Sequence, residues 1–222
     1  MPEVAEASSQ AMLPKNKKYR TIVHMSHLFA KIQFLTSAAS LSQLPPDTGA
    51  EVAFVGRSNA GKSSALNVIA GIKKLAKVSN TPGRTQLINI FTITTTMRLV
   101  DLPGYGYAKV AQEVKARWQK TLASYLEQRL SLKGLILLMD CRHPLKETDQ
   151  EFLRWSAQRQ LPVHVLLTKA DKLSHSQALQ TLRQIKPGIT LLHPDASVQL
   201  FSATHKLGVL EAERQIITWL RG

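Results

Sequence analysis

Residues 56–64 read GRSNAGKSS and follow EVAFV at 51–55, an apolar stretch that suits a buried strand. The spacing Gly56-x-x-x-x-Gly61-Lys62-Ser63 is that of a phosphate-binding loop. Glycines let successive backbone N–H groups turn inward on an anion. The Lys62 ammonium can then reach the outer phosphates, and the Ser63 hydroxyl is a ligand for Mg²⁺. The apolar run SALNVIA that follows supplies a helix whose positive end faces the same charge. An ordinary strand-to-helix turn competes with this reading, but the motif lies between a strand-like and a helix-like segment, as its mechanics require.

Further candidates lie at the ends of other apolar runs. MRLVD-LPG places Asp101 at a strand end with Gly104 three residues on. The acid suits a Mg²⁺ shell, and the Gly104 N–H suits a terminal phosphate whose loss it would sense. Alone the pattern is weak, because Asp before Pro-Gly is also ordinary turn chemistry. TKAD at 168–171 follows LPVHVLL in the same manner. The Asp171 carboxylate can accept from N1–H and the N2 amine of guanine, with the Lys169 stem along the base. Adenine would leave that acceptor unpaired, a mismatch of about 1–3 kcal/mol. A helix-starting Asp is the bland alternative. FSA at 201–203 ends the last apolar run, and its Ala203 N–H can donate to guanine O6. In TPGRTQ, Thr85 offers a hydroxyl for Mg²⁺ while a γ-phosphate is present; Thr81 competes, and Thr85 is preferred for standing just before the strand that starts near Leu87.

The elements needed to bring these residues together can be read from periodicity. KIQFLTSA at 31–38 suits a short edge strand, and LINIFTIT at 87–94 and MRLVD at 97–101 are too closely joined for anything but an antiparallel hairpin. A helix is predicted over 112–130. Beyond it GLILLMD at 134–140, a helix at 147–159, LPVHVLLT at 161–168, a helix opened by Ser174, SVQLFSA at 197–203 and a last helix with Val209, Ala212, Ile216 and Leu220 on one face alternate. That alternation predicts an α/β fold, a mostly parallel sheet with helices on both faces. Ligands of such sheets sit beyond the carboxyl ends of the strands.

The chain has 222 residues, 29 Lys plus Arg against 15 Asp plus Glu, and a formal charge of +14, a balance that favours polyanions or simply a solvated basic surface. Residues 1–27 predict a flexible basic arm, with 28–222 as one domain. The single Cys141 excludes an internal disulfide and suits a small packed side chain in a reducing cytoplasm. No apolar run is long enough to span a membrane, so the expectation is a soluble, cytoplasmic chain. His143 and His164 read as structural, Trp118, Trp155 and Trp219 as core packing on helix faces, and Arg57 and Arg84 as exposed charges.

Taken in order, GRSNAGKSS, TPGRTQ, DLPGYGYAKV, TKAD and FSA resemble the translation-factor-like P-loop GTPases, and within them the EngB (YihA/YsxC) family of bacterial ribosome-biogenesis GTPases. The resemblance covers about residues 31–220. It implies the P-loop GTPase fold, binding of GTP and GDP with Mg²⁺, and a part in assembly of the large ribosomal subunit, with ribosomal RNA as partner. It also implies roles for particular residues. Gly56, Arg57, Ser58, Asn59, Ala60, Gly61, Lys62, Ser63 and Ser64 would cradle the phosphates, Ser63, Thr85 and Asp101 would serve the metal, and Thr168, Lys169, Asp171, Ser202 and Ala203 would hold the base. Many GTPases place a water-orienting glutamine after DxxG; here that position is Tyr105, so slow intrinsic hydrolysis is expected. Asn59 matches the asparagine of a potassium-dependent group, which makes K⁺ a candidate cofactor; the alternative is an asparagine that simply stabilises the loop. Lys62, Asn59, Thr85 and Gly104 are thus the expected catalytic set, in a monomer with no stable membrane association. Two other readings are a GTPase of membrane or division-site organisation and a P-loop small-molecule kinase, which would have no use for TKAD.

Overall fold

A computed structural model describes residues 28–76, 87–105 and 121–222. Its elements are β1 (Gln33–Ala38), β2 (Ala50–Gly56), α1 (Lys62–Ile69), β3 (Ile88–Thr92), β4 (Met97–Asp101), α2 (helical over 121–128), β5 (Leu132–Asp140), α3 (Glu147–Gln158), β6 (Val163–Thr168), α4 (His175–Leu192), β7 (Ser197–Leu200) and α5 (Val209–Arg221). The expected arm at 1–27, the loop holding Thr81, Arg84 and Thr85, and the part of the expected helix at 112–120 with Trp118 lie outside the described residues.

The strands form one sheet in the order β1-β3-β4-β2-β5-β6-β7. β2 pairs in parallel with β4 and β5, β5 with β6, and β6 with β7, whereas β3 is antiparallel to both β1 and β4. Only β3 runs against the rest, because the link from Thr92 to Met97 is too short for a crossover. The expected edge strand is β1, at the sheet's outer margin.

Each central strand is buried on both faces, so its sequence is a continuous apolar run rather than an alternation. From β5, Ile136 and Leu138 join Val52, Phe54 and Leu99 beneath α1 and α5. Leu135, Leu137 and Met139 of the same strand pack with Ala53, Val55, Leu153, Ala178 and Ile189 beneath α2, α3 and α4. Helices therefore lie on both faces, and Ser174 caps α4 by accepting from the Gln177 N–H. Trp219 of α5 lies flat against Gly134, where a Cβ would come within 2.4 Å of the ring. Buried His164 bridges Ser197 Oγ at 2.6 Å and Gln199 Oε1 at 2.8 Å, and Cys141 is packed in the core.

Candidate nucleotide-binding site

β2 leaves the sheet at Gly56, where a Cβ would meet the Leu138 carbonyl oxygen at 2.5 Å. Asn59 (φ 61°) and Gly61 (φ 96°) both adopt the left-handed region, and they curl the loop back on itself. Asn is among the residues that tolerate this conformation best. Gly61 ends the loop as the N-cap of α1, whose first helical bond runs from Ala65 N–H to Gly61 O. The N–H groups of Lys62, Ser63 and Ser64 precede that bond, and such first-turn donors favour an anion at the helix mouth.

Asp101 ends β4 beside this mouth. It is buried, and its Oδ1 makes no hydrogen bond. Burial pushes its carboxyl up to about 6, opposed by the Lys62 ammonium and by hydrogen bonding from the side chains of Ser63 and Asn89. Lys62 is itself desolvated, which lowers its pKa against the pull of Asp101. Gly104 closes over the pair: a Cβ there would stand 2.7 Å from Lys62 Nζ and 3.1 Å from the Ser58 nitrogen. A buried carboxylate oxygen without a partner, next to a serine hydroxyl, is a hard-oxygen donor set that suits Mg²⁺. Among the described residues there is no cluster of three or more His, Cys, Asp or Glu that could hold a metal by itself. Mg²⁺ fits that sparseness, since it is usually held by one or two protein groups together with phosphates.

At the other end of the site, TKAD is fastened to the phosphate loop. Thr168 Oγ1 donates to the Ala60 carbonyl at 2.6 Å. Lys169, held at φ 58°, donates through Nζ to the Asn59 carbonyl at 2.8 Å and lies 3.0 Å from Asp140 Oδ2. Burial opposes the charge of Asp140, yet hydrogen bonds from Arg142 and Lys169 outweigh it and hold the carboxyl well below the usual carboxylate range. Asp171 Oδ1 accepts from Ser202 Oγ at 2.6 Å, and that bond, against a smaller effect of burial, lowers its pKa. Ser202 in turn exchanges backbone hydrogen bonds with Leu207, which closes the turn containing Ala203.

Tyr105 is anchored away from the phosphate end. Its hydroxyl donates to Asp149 Oδ1 at 2.8 Å and its ring stacks on Phe152 with centroids 5.7 Å apart. Its backbone pairs with the phosphate loop, Ser58 N–H to Tyr105 O at 3.0 Å and Tyr105 N–H to Gly56 O at 3.2 Å. Arg57 is half-buried and close enough to act electrostatically on both Tyr105 and Asp149.

Gly56 through Ser64, Asp101, Gly104, Thr168, Lys169, Asp171, Ser202 and Ala203 thus stand at the carboxyl end of one sheet, while Thr85 lies outside the described residues. Sequence reasoning missed Asn89, Asp140 and Asp149. A lone amide in the apolar INIFT and an acid closing GLILLMD were the available signals.

The family of 50S ribosome-binding GTPases matches residues 51–169. A probable GTP-binding protein EngB of Coxiella burnetii is 51% identical over 193 residues, covering 87% of this chain and 94% of the relative. That of Aeromonas salmonicida is 53% identical over 86% of this chain and 88% of its own length. Among solved structures, a probable GTP-binding protein EngB superposes with a TM-score of 0.60 at 21% identity, covering 78% of this chain and 99% of the other. Era of Aquifex aeolicus bound to GDP and aluminium fluoride gives 0.62 at 22% identity, covering 78% and 57%. At these identities the two structures speak for the fold alone.

Proposed function

This chain belongs to the EngB family of the 50S ribosome-binding GTPases, and on that premise we propose that it is a GTP-operated switch acting in assembly of the large ribosomal subunit. What supports the reading most is the tie between distant motifs: Thr168 and Lys169 hydrogen-bond the carbonyls of Ala60 and Asn59 in the phosphate loop, Asp101 acts on Lys62, and Ser202 holds Asp171. Residues 28–222 act in this reading as a single GTPase domain.

In this assignment the N–H groups of the loop and of the first turn of α1, with Lys62, hold the phosphates. Asp171 and the turn at Ser202 and Ala203 read the guanine. Ser63, Asp101 and Thr85 would hold Mg²⁺, which supplies positive charge to the β- and γ-phosphates when bound. Gly104 lies against Lys62 and the Ser58 nitrogen, so a γ-phosphate arriving at Lys62 must displace or recruit it. That contact is how the DxxG loop would register the nucleotide state. Tyr105 has its hydroxyl committed to Asp149, so it does not orient water, and hydrolysis is slow until a partner or K⁺ near Asn59 contributes positive charge.

The chain's charge of +14 supports an RNA partner, and Era, of the same fold, has been crystallised with a segment of 16S ribosomal RNA. Binding through phosphates predicts co-sedimentation with 50S precursors that fades steeply with salt. Pelleting with anionic liposomes instead would favour the membrane reading. The decisive test of the site is Asp171→Asn: it should lose GTP and gain xanthosine triphosphate, because an amide donates where the acid accepted. Unchanged GTP binding, or ATP held as tightly as GTP by the wild type, would overturn the assignment.

A further inference from the structure

Ser37, Asn89 and Asp101 stand side by side on three neighbouring strands. Ser37 of β1 is in register with Asn89 of β3, and Asn89 with Asp101 of β4. Register partners leave a sheet on the same face, within side-chain reach of one another. Ser37 Oγ donates to Asn89 Oδ1 at 2.6 Å. An asparagine amide has one accepting end and one donating end. The serine occupies the accepting end, so the Nδ2 end is left for the neighbour on the other side, where Asp101 stands in register and the Asn89 side chain favours its ionised form. Asp101 Oδ1 remains buried and unpartnered.

This arrangement differs from a purely structural amide bridge, in which both carboxylate oxygens would be satisfied. An unassisted carboxylate can also rotate about its Cβ–Cγ bond and turn either oxygen to the site. An Asn89 amide that donates to one oxygen fixes the other in place. Without Ser37 the amide could flip and present its own oxygen to the acid, which would repel it.

We propose that Ser37 and Asn89 are positioning residues for the metal site, the serine setting the amide and the amide holding Asp101 so that Oδ1 is kept free for Mg²⁺ or its water. The inference rests on the GTP and Mg²⁺ reading above. It makes the site depend on β1, an edge strand, through residues to which the proposed function assigns neither phosphate nor base.

The test uses the full chain loaded with a fluorescent GDP analogue, with its dissociation rate followed across a Mg²⁺ titration and again in excess EDTA. Partners of metal ligands typically change metal affinity about 10- to 100-fold when removed. Asn89→Leu should accordingly raise the Mg²⁺ concentration needed for half-maximal retention at least about tenfold, while the EDTA rate stays near that of the wild type. Ser37→Ala, which removes one hydroxyl and keeps the backbone pairing, should shift it in the same direction by about threefold. That milder variant decides the matter if Asn89→Leu does not fold. Superimposable Mg²⁺ curves would overturn the inference, as would an equal acceleration in EDTA, which marks general damage to the site. A wild type whose GDP release ignores Mg²⁺ altogether would instead remove the metal reading on which the inference stands.

Discussion

Asp101 and Glu51 are both buried carboxylates at strand ends, and they are finished differently. Glu51, at the opening of β2, has each oxygen taken: Oε1 accepts from Arg98 at 3.1 Å and Arg129 at 2.7 Å, and Oε2 from Tyr125 at 2.8 Å and Arg129 at 3.0 Å. Asp101, at the close of β4, keeps Oδ1 without any partner and has its carboxyl pushed up to about 6 by burial. Arg98 and Asp101 are three residues apart on one strand, about 10 Å, yet they serve opposite ends of the sheet. The completed cluster at the amino end of the parallel strands holds the fold together. The incomplete one at the carboxyl end keeps a buried oxygen unpaired, which in the proposed reading is where Mg²⁺ would be met.

The largest expected effect comes from undoing the completed cluster. Glu51→Gln leaves Arg98 buried without its counter-charge and Arg129 with only Asp47 at 3.5 Å, and should lower the unfolding free energy by about 3–5 kcal/mol in urea titrations. GDP release from the folded fraction should still respond to Mg²⁺. Asp101→Asn should reverse this pattern, abolishing the Mg²⁺ response with a smaller change in unfolding. If both substitutions act mainly on stability, the distinction between the two ends collapses.

Next in size is a pH dependence. The folded-state pKa of Asp101, about 6, is raised from 3.8, so burial favours the protonated acid. Its contribution is complete below about pH 4 and is lost as pH rises through 6. Two pKa units correspond to about 3 kcal/mol as an upper bound. Nucleotide-free protein should therefore lose stability over that window by denaturant unfolding, and Mg²⁺ with GDP should restore most of it at pH 7. A wild-type profile identical to that of Asp101→Asn would show that this acid is not the titrating group.

Smaller still is Tyr105→Phe, which keeps the stack on Phe152 and loses one hydrogen bond to Asp149, about 1 kcal/mol. Single-turnover GTP hydrolysis should be unaffected; a marked loss of rate would place the hydroxyl at the phosphate instead of on α3. The finest test concerns Asn59. Asn59→Gly preserves the left-handed backbone and removes the amide, so any acceleration by K⁺ over Na⁺ should vanish. Equal rates of the wild type in the two ions would leave Asn59 a purely conformational role.

The motif residues were legible because each is local: Gly61-Lys62-Ser63, Asp101 with Gly104, and Lys169 with Asp171 carry their chemistry within a few positions of a strand end. Their supports were not. Asn89 reaches Asp101 only through the β3–β4 register, Tyr105 finds Asp149 44 residues away, and Lys169 reaches the Asn59 carbonyl across 110 residues. No periodicity encodes such pairings, because they follow from which strands become neighbours.

Local sequence alone specified the alternation of strands and helices, the reversal of β3 and the placing of Asp101 and the TKAD run at strand ends. Short links and apolar periodicity restrict the backbone locally, and the crossover rule then leaves few topologies. Only the tertiary structure decided that α4 runs through Pro187 and Gly188 to Leu192, where buried Ile189 keeps the last turns against the sheet despite two residues that disfavour a helix. It also decided that Glu51 is fully paired and Asp101 is not. That difference depends on side chains arriving from distant elements, and burial makes each arrival or absence count.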